Sequence, residues 1–235
     1  MFWILKIAAT TLGETGGDAL SMSMDLGYLT ASLVFALVFL AAVAAQVAAT
    51  AFRPGLYWAT IIATTTLGTT LADFADRSLG IGYAGGSALL LGLLLLSLAA
   101  WKRAMGSVSV ETVDSPRAEG FYWVTILFSQ TLGTALGDWT ADTAGLGYAG
   151  GAVLFTALLA LVFVASRTTR ISRTALFWSA FILTRPLGAV VGDFLDKPVA
   201  SGGLELSRVA ATAVLLLFLG ACLALFRQRA AIKPH

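Results

Sequence analysis

The segment "YWATIIATTTLGTTLAD", from Tyr57 to Asp73, decides the fold because versions of it occur four times in the chain. The other three begin at Phe2, Tyr122 and Phe177 and read "FWILKIAATTLGETGGD", "YWVTILFSQTLGTALGD" and "FWSAFILTRPLGAVVGD". Each starts with an aromatic residue and Trp, carries Leu-Gly in its second half and ends in Asp. Segments that share one register in this way indicate internal repeats, so we predict four copies of one structural unit.

The composition places this unit in a membrane. Of the 235 residues, 58% are hydrophobic and 12% are charged, and the mean hydropathy is +0.85. Soluble domains are about 25% charged. Apolar runs long enough for a transmembrane helix, about 20 residues, begin near Phe2, Tyr28, Tyr57, Ser87, Phe121, Tyr148, Leu176 and Leu204. We therefore predict an all-α integral membrane protein with about eight transmembrane helices, arranged as four two-helix repeats.

The only extended polar segment divides the repeats into two pairs. It reads "WKRAMGSVSVETVDSPRAEG" and lies between the second and third repeats. We predict an N-terminal half over residues 1–105, a cytoplasmic linker over 106–120 and a C-terminal half over 121–235. Because each repeat crosses the membrane twice, all four enter from one side, which gives two pseudo-symmetric halves built from parallel repeats.

The charges predict an orientation. Eleven of the fifteen Lys and Arg residues lie at the ends between repeats, whereas ten of the thirteen acidic residues lie at the opposite ends. Short cytoplasmic loops carry an excess of basic residues. We expect both termini in the cytoplasm and an acidic face outside. The N-terminal segment is predicted to be a span, since Glu14 and Asp18 interrupt the pattern of a signal peptide.

The repeated aspartates are the candidate functional residues. A rise of about 1.5 Å per residue places Asp18, Asp73, Asp138 and Asp193 in the outer third of the membrane. Helical periodicity puts the residues four and seven positions before each Asp near the same face. These are Glu14 and Thr11, Thr69 and Thr66, and Thr134 and Thr131, while Arg185 lies beside the stripe in the fourth repeat as a charge partner. Further carboxylates at the outer helix ends, Asp76, Asp142 and Asp196, predict an acidic vestibule.

This residue chemistry favours a hard cation. Carboxylate and hydroxyl oxygens suit Mg²⁺, Ca²⁺ or Mn²⁺, whereas one cysteine, Cys222, and one histidine, His235, argue against a zinc or copper site. We expect a transporter for a divalent metal, and among these metals Mn²⁺ is preferred. Export is favoured over import, and transport coupled to protons is compatible with the same residues. The expected partners are the lipid bilayer and the inorganic cation, which is the substrate. Homo-oligomers are compatible with the sequence. No cofactor, enzymatic activity or nucleic-acid partner is expected.

Other interpretations of the same residues stay open. The repeated aspartates, Glu14 and the threonines would together line an acidic central path, which could carry protons or a monovalent cation instead. Alternatively, the protein could be a structural membrane subunit whose aspartates pair with basic residues: Lys6, Arg77, Arg185, Lys197 and Arg208. An intramembrane aspartyl hydrolase is the least favoured class, since no Tyr-Asp motif accompanies "LGD" at Leu136–Asp138. The threonines could donate to carbonyls within their own helix. The glycines favour close helix packing, and the repeated Trp residues favour an interfacial belt.

The repeated motifs also carry a resemblance. "TLGETGGD", "TLGTTLAD" and "TLGTALGD", together with "GYAGG", resemble an uncharacterised bacterial family of multi-span membrane proteins described only as membrane-anchored. The resemblance covers nearly the whole chain. It implies a multi-pass protein of the bacterial inner membrane, and it implies no activity for individual residues. The fourth repeat departs from the motif, because Arg185-Pro186 stands where the other repeats have Thr or Gln followed by Thr.

Overall fold

The computed structural model describes residues 1–49 and 51–226, with Thr112 by its backbone. Arg227, Arg229 and Lys233, three of the eleven basic residues at the ends between repeats, lie outside the described residues, as does His235. The described chain folds into eight α-helices: α1 Phe2–Asp18, α2 Gly27–Val47, α3 Pro54–Asp73, α4 Gly82–Met105, α5 Pro116–Asp138, α6 Gly147–Thr168, α7 Arg173–Asp196 and α8 Arg208–Leu225. Each repeat supplies one odd-numbered and one even-numbered helix.

Local sequence explains several helix ends. Proline occupies the first turn of α3 and α5, where its missing N–H costs no helical hydrogen bond. The hydroxyl groups of Ser115, Ser172 and Ser207 cap α5, α7 and α8 by accepting a backbone N–H from the first turn. Helix α4 ends at Gly106 in the left-handed conformation (φ 77°), which glycine adopts without steric cost.

The first three repeats share a junction between their two helices. A π-helical segment follows each terminal aspartate, at Ala19–Ser23, Phe74–Ser78 and Trp139–Thr143. The chain then turns through two left-handed residues, for example Gly80 (φ 70°) and Gly82 (φ 74°). The second left-handed residue is a glycine followed by Tyr in all three repeats: Gly27, and the first glycine of "GYAGG" at Gly82 and Gly147. The fourth repeat lacks the π-helical segment, and α7 continues to Asp196 instead.

The helices form two layers around one axis. The inner layer is a ring in which α1 packs on α3, α3 on α5, α5 on α7 and α7 on α1. The outer helices α2, α4 and α6 each pack on the inner helix of the following repeat, and α8 packs on α1 to close the ring. Every repeat therefore contacts its successor in the same way.

The outer layer has the character expected of a membrane protein. Five helices are long and apolar enough to cross a membrane: α2, α4, α6, α7 and α8. The four outer helices among them are mostly unburied and point large apolar side chains outward, such as Leu37 (70% exposed), Val153 (71%) and Leu217 (74%). The more polar α1, α3 and α5 lie inside. Helix α8 begins at Arg208, four residues later than the predicted start of its span near Leu204.

The inner ring is closed at one end by aromatic side chains. Trp58, Trp123 and Trp178 are buried among other rings, and the Trp178 Nε1–H donates to the carbonyl oxygen of Val108 at 2.9 Å. Only Trp3 of the four repeated tryptophans is exposed, at 38%. The expected aromatic belt is therefore wrong for three of its four members, because these rings face the neighbouring inner helices instead of lipid.

Candidate functional site

The repeated Leu-Gly glycines set the distance between the inner helices. Gly13 lies against Thr65, Gly68 against Gln130, Gly133 against Arg185 and Gly188 against Thr10. In each case the contact is with the equivalent residue of the next repeat in the ring. A side chain at Gly68 would meet the backbone nitrogen of Thr131 at 2.9 Å. The glycines thus serve close packing, as their pattern predicted, and bring polar side chains of four helices onto one axis.

Arg185 occupies the middle of this axis. Its side chain is fully buried, and its Nη1 lies 2.9 Å from Oε2 of Glu14 on α1. Its Nη2 donates to the Thr69 hydroxyl on α3 at 2.6 Å and to the Thr134 hydroxyl on α5. One guanidinium group from α7 therefore contacts all three other inner helices. Glu14, Thr69 and Thr134, three of the predicted stripe residues, do converge, and Arg185 fills the space between them.

Two of the repeated aspartates are joined by Arg77. Its Nε lies 3.0 Å from Oδ1 of Asp73, one turn earlier in the chain, and its Nη2 lies 3.4 Å from Oδ2 of Asp138 on α5. Both carboxylates are buried, whereas the Arg77 side chain is 30% exposed. The guanidinium group thus links α3 to α5 at the end of the bundle where the repeated aspartates lie, which we call the acidic end.

Lys197 joins the other two aspartates in the equivalent manner. Its Nζ lies 3.0 Å from Oδ1 of Asp193, one turn earlier, and contacts Oδ2 of Asp18 on α1. Arg77 and Lys197 both stand four residues after the repeated Asp, and each reaches the next helix in the ring. The corresponding residues of the first and third repeats are Met22 and Asp142. The ion pairs therefore follow the twofold relation between halves.

A third carboxylate distinguishes the Lys197 side from the Arg77 side. One oxygen from each of Asp18, Asp193 and Asp196 lies within 4.8 Å of the others, and all three residues are buried. Arg208 at the start of α8 approaches this acidic triad, with its Nε 3.4 Å from Oδ2 of Asp196 and 3.9 Å from Oδ2 of Asp18. Apart from this ion pair with Arg208, neither oxygen of Asp196 has a hydrogen-bond partner among the described residues. The triad could ligate a small cation with oxygen atoms alone.

Lys197 and Arg77 remain charged. Burial alone would lower the pKa of the Lys197 ammonium, but Asp193, Asp18 and Asp196 together raise it well above the ordinary 10.5. The pKa of Arg77 is likewise raised, because the effect of Asp73 and Asp138 exceeds that of burial. Beyond the end of α3, burial raises the pKa of the Asp76 carboxyl to about 6, although neighbouring Arg77 opposes the shift.

Other predicted residues lie apart from these contacts. Thr11, Thr66 and Thr131 each donate to the carbonyl oxygen four residues earlier, at 3.1, 2.8 and 2.9 Å. All three are buried, and none of the hydrogen bonds that Arg185 makes to the described residues involves them. Of the predicted vestibule residues, Asp76 and Asp196 are buried, whereas Asp142 is exposed.

The sequence interpretation misplaced Lys6 and missed Gln130, two buried polar residues near the aromatic end. Lys6, one of the eleven basic residues at the ends between repeats and a candidate partner of the aspartates, is fully buried, with its Nζ 3.4 Å from Oε1 of Gln130 and 4.2 Å from the centre of the Phe181 ring. Gln130 stands at the same repeat position as Arg185, seven residues after the repeated Trp. Comparing that position across repeats would have found Gln130, because helical periodicity alone favoured the neighbouring threonines.

The comparison with known families agrees with the four repeats. A family described as Repeat of Unknown Function (DUF347) matches residues 1–52, 56–107, 121–172 and 176–230. No curated protein and no solved structure matches the chain. Each matched segment covers most or all of one odd-numbered helix and the even-numbered helix that follows it. Since the four matches together cover nearly all of the sequence, the chain belongs to the DUF347 repeat family.

Proposed function

We propose that the protein transports a hard cation across the bacterial inner membrane. All eight helices cross the bilayer in this proposal, with both termini in the cytoplasm and the acidic end of the inner ring outside. The substrate is a divalent metal ion, Mn²⁺ before Mg²⁺ or Ca²⁺, and the direction is export. The observation that carries the proposal is an imbalance of buried charge at the acidic end.

The imbalance can be counted from the described residues. Seven buried carboxylates gather in the outer half of the ring: Glu14, Asp18, Asp73, Asp76, Asp138, Asp193 and Asp196. Four basic side chains lie among them: Arg77, Arg185, Lys197 and Arg208. The carboxylates exceed the basic groups by three, and still by two if the distant Lys6 is included. Uncompensated charge inside a membrane costs several kcal/mol, so protons or bound cations must balance the excess.

The same count weighs against a purely structural role. A device that only joins helices needs equal numbers of opposite charges, and each unpaired buried carboxylate would weaken it. The ion pairs at Arg77 and Lys197 do hold neighbouring helices together. They leave the additional carboxylates unexplained, however. A binding site for positive charge explains both the pairs and the excess.

The acidic triad is the preferred position for the substrate ion. Asp18, Asp193 and Asp196 supply oxygen ligands of the type that Mn²⁺ and Mg²⁺ favour. Lys197 places an ammonium group between two of these carboxylates, so an arriving cation must displace it. Because Lys197 keeps its charge, its ammonium group partly neutralises the carboxylates when no metal ion is bound. The arriving metal ion then replaces the ammonium group as the positive charge between them.

A transporter fits the geometry better than an open channel does. Arg185 fills the axis at the level of Glu14, and the aromatic side chains fill it further along. An ion that passes through the ring therefore requires both layers to rearrange. Asp73 and Asp138 are also separated by Arg77, which is unlike the shared-proton pair of an aspartyl hydrolase.

Flux into proteoliposomes tests the proposal. The purified full-length chain would be reconstituted and assayed with Mn²⁺, Mg²⁺, Ca²⁺, Na⁺, K⁺ and a proton gradient. We expect Mn²⁺ flux that Asp196→Asn, in the acidic triad, and Asp138→Asn, beside Arg77, each abolish without altering the gel-filtration profile. Asp142→Asn is the matched control, since that carboxylate is exposed at the same end of the bundle, and it should retain flux.

The other outcomes separate the alternatives. Flux of protons or K⁺ without Mn²⁺ would favour the monovalent or proton pathway, which also satisfies the charge imbalance. Absence of flux for every ion, from correctly assembled protein, would refute transport. Misassembly of both Asn variants would instead support the structural subunit.

A further inference from the structure

A groove on the membrane-facing surface lies where α1, α6 and α7 meet. It has a volume of about 360 Å³, within the range of small-ligand sites. Its walls are almost entirely apolar and include Ile7 of α1, Leu159 and Phe163 of α6, and Phe177 and Ala180 of α7. The loop between α6 and α7 consists only of residues 169–172 and leaves the groove open.

The groove has the length of one membrane leaflet. Its lining on α7 runs from Arg173 to Thr184. Eleven residues at about 1.5 Å each give roughly 16 Å, which is about half of a hydrocarbon core of about 30 Å. An apolar groove of this length, beginning at a helix end, matches one acyl chain that descends from the membrane surface.

The end of the groove at the membrane surface is positively charged. Arg173 lines it directly, and the Arg167 guanidinium lies 5.2 Å from the centre of the Phe163 ring, which forms part of the wall. Both arginines and the intervening Arg170 are exposed. No acidic residue occurs between Asp142 and Asp193 in the sequence, and none of the ion pairs found in residues 1–49 and 51–226 involves these arginines.

We propose that this groove binds an anionic phospholipid, with one acyl chain between α6 and α7 and the phosphate on Arg167 and Arg173. Apolar length and surface charge coincide at this position, as the two parts of such a lipid require. Thr184, next to Arg185 in the chain, lies at the deep end of the groove. The lipid therefore occupies the outside of the same α1–α7 contact whose inside holds Arg185 and Glu14. The proposal does not depend on cation transport.

Native mass spectrometry of the detergent-purified full-length chain tests the site. The protein would be supplied with equal amounts of phosphatidylglycerol and phosphatidylcholine that carry identical acyl chains. We expect phosphatidylglycerol to be retained preferentially. Removing both charges with Arg167→Gln and Arg173→Gln should reduce that preference by about fivefold for each arginine. Arg53→Gln with Arg117→Gln is the control, because both arginines are exposed at the same end of the bundle but distant from the groove in the chain.

A variant inside the groove separates the acyl chain from the head group. Ala180→Phe should reduce retention of both lipids while leaving the arginines in place. Equal retention of the two lipids by the unmodified protein would overturn the proposal, as would an equal loss in the control pair. If Ala180→Phe left lipid retention unchanged and instead dissociated a dimer, the groove would be a contact between two copies of the chain.

Tryptophan quenching provides a measurement that does not require the arginine variants. Trp3 lines the groove and is 38% exposed. Phosphatidylglycerol with brominated acyl chains should quench its fluorescence more strongly than brominated phosphatidylcholine at the same concentration. The difference should disappear in Trp3→Phe. A difference that persisted in this variant would place the lipid elsewhere and overturn the proposal.

Discussion

Replacing Arg185 by methionine tests whether the centre of the bundle depends on a buried ion pair. The Arg185 guanidinium lies 2.9 Å from Glu14, and neither side chain is more than 3% exposed. In Arg185→Met, the buried Glu14 carboxyl loses its positive partner, and the hydroxyl groups of Thr69 and Thr134 lose a donor. Removing one member of a buried pair costs about 3–5 kcal/mol. We expect the free energy of unfolding to fall by about that amount.

The matching double variant distinguishes the ion pair from simple loss of packing. Glu14→Gln combined with Arg185→Met removes both charges, and the double variant should recover about 2 kcal/mol relative to Arg185→Met alone, within the usual range of coupling between contacting residues. Reversible unfolding in mixed micelles, followed by tryptophan fluorescence, measures these differences. Arg103→Met, at an exposed position near the end of α4, should stay within about 0.5 kcal/mol of the unmodified protein.

Two results would refute this reasoning. A loss below about 1 kcal/mol in Arg185→Met would show that the guanidinium group does not stabilise Glu14. A double variant no more stable than Arg185→Met would show that the cost comes from the cavity and not from the unpaired carboxylate.

Two further changes test the packing and the acidic end. Gly68→Ala should cost about 1–3 kcal/mol, because its added methyl group would meet the backbone of the adjacent helix at 2.9 Å. Gly92→Ala, which places the methyl group in open space, should be neutral or stabilising by about 0.5–1 kcal/mol. Equal effects of the two substitutions in an unfolding assay would contradict the packing role of Gly68. Burial raises the pKa of Asp76 from 3.8 to about 6, so the folded state binds this proton more tightly. The contribution of Asp76 to stability should therefore be greatest below about pH 4, decline towards pH 6 and level off above it. Asp76→Asn should therefore gain stability relative to the unmodified protein over that interval in thermal unfolding at stepped pH, and a pH-independent difference would be inconsistent with the raised pKa.

The repeat pattern predicted much of the fold because it does not depend on knowing the neighbours of any residue. Four segments in one register predicted four helix pairs. Helical periodicity predicted that Glu14, Thr69 and Thr134 each lie on the face of their own helix that carries the repeated Asp, and in the structure all three contact Arg185. The packing role of the repeated glycines also follows from the pattern. Periodicity describes a single helix, so it could not show that each glycine meets the next repeat in a closed ring.

Residues whose position depends on the neighbouring helix were harder to place. Lys6 lies near a helix end and was counted as cytoplasmic, but Gln130 and Phe181 of other helices enclose it. Trp58, Trp123 and Trp178 occur where a lipid-facing belt would lie, and only their neighbours reveal that they face inward. The pairing of Arg77 with Asp138 and of Lys197 with Asp18 requires the order of the ring, which one sequence does not contain.

The contact of α8 with α1 has a consequence for the connectivity of the chain. Because this contact repeats the way in which α2, α4 and α6 pack on their successors, the ring has no unique first repeat. A circularly permuted gene that starts before α5 and joins the original ends through a flexible segment would preserve every inter-helix contact, and only the position of the chain break would move. For the same reason, the two halves made as separate polypeptides present complementary faces at both junctions, and can meet as the halves of one closed ring.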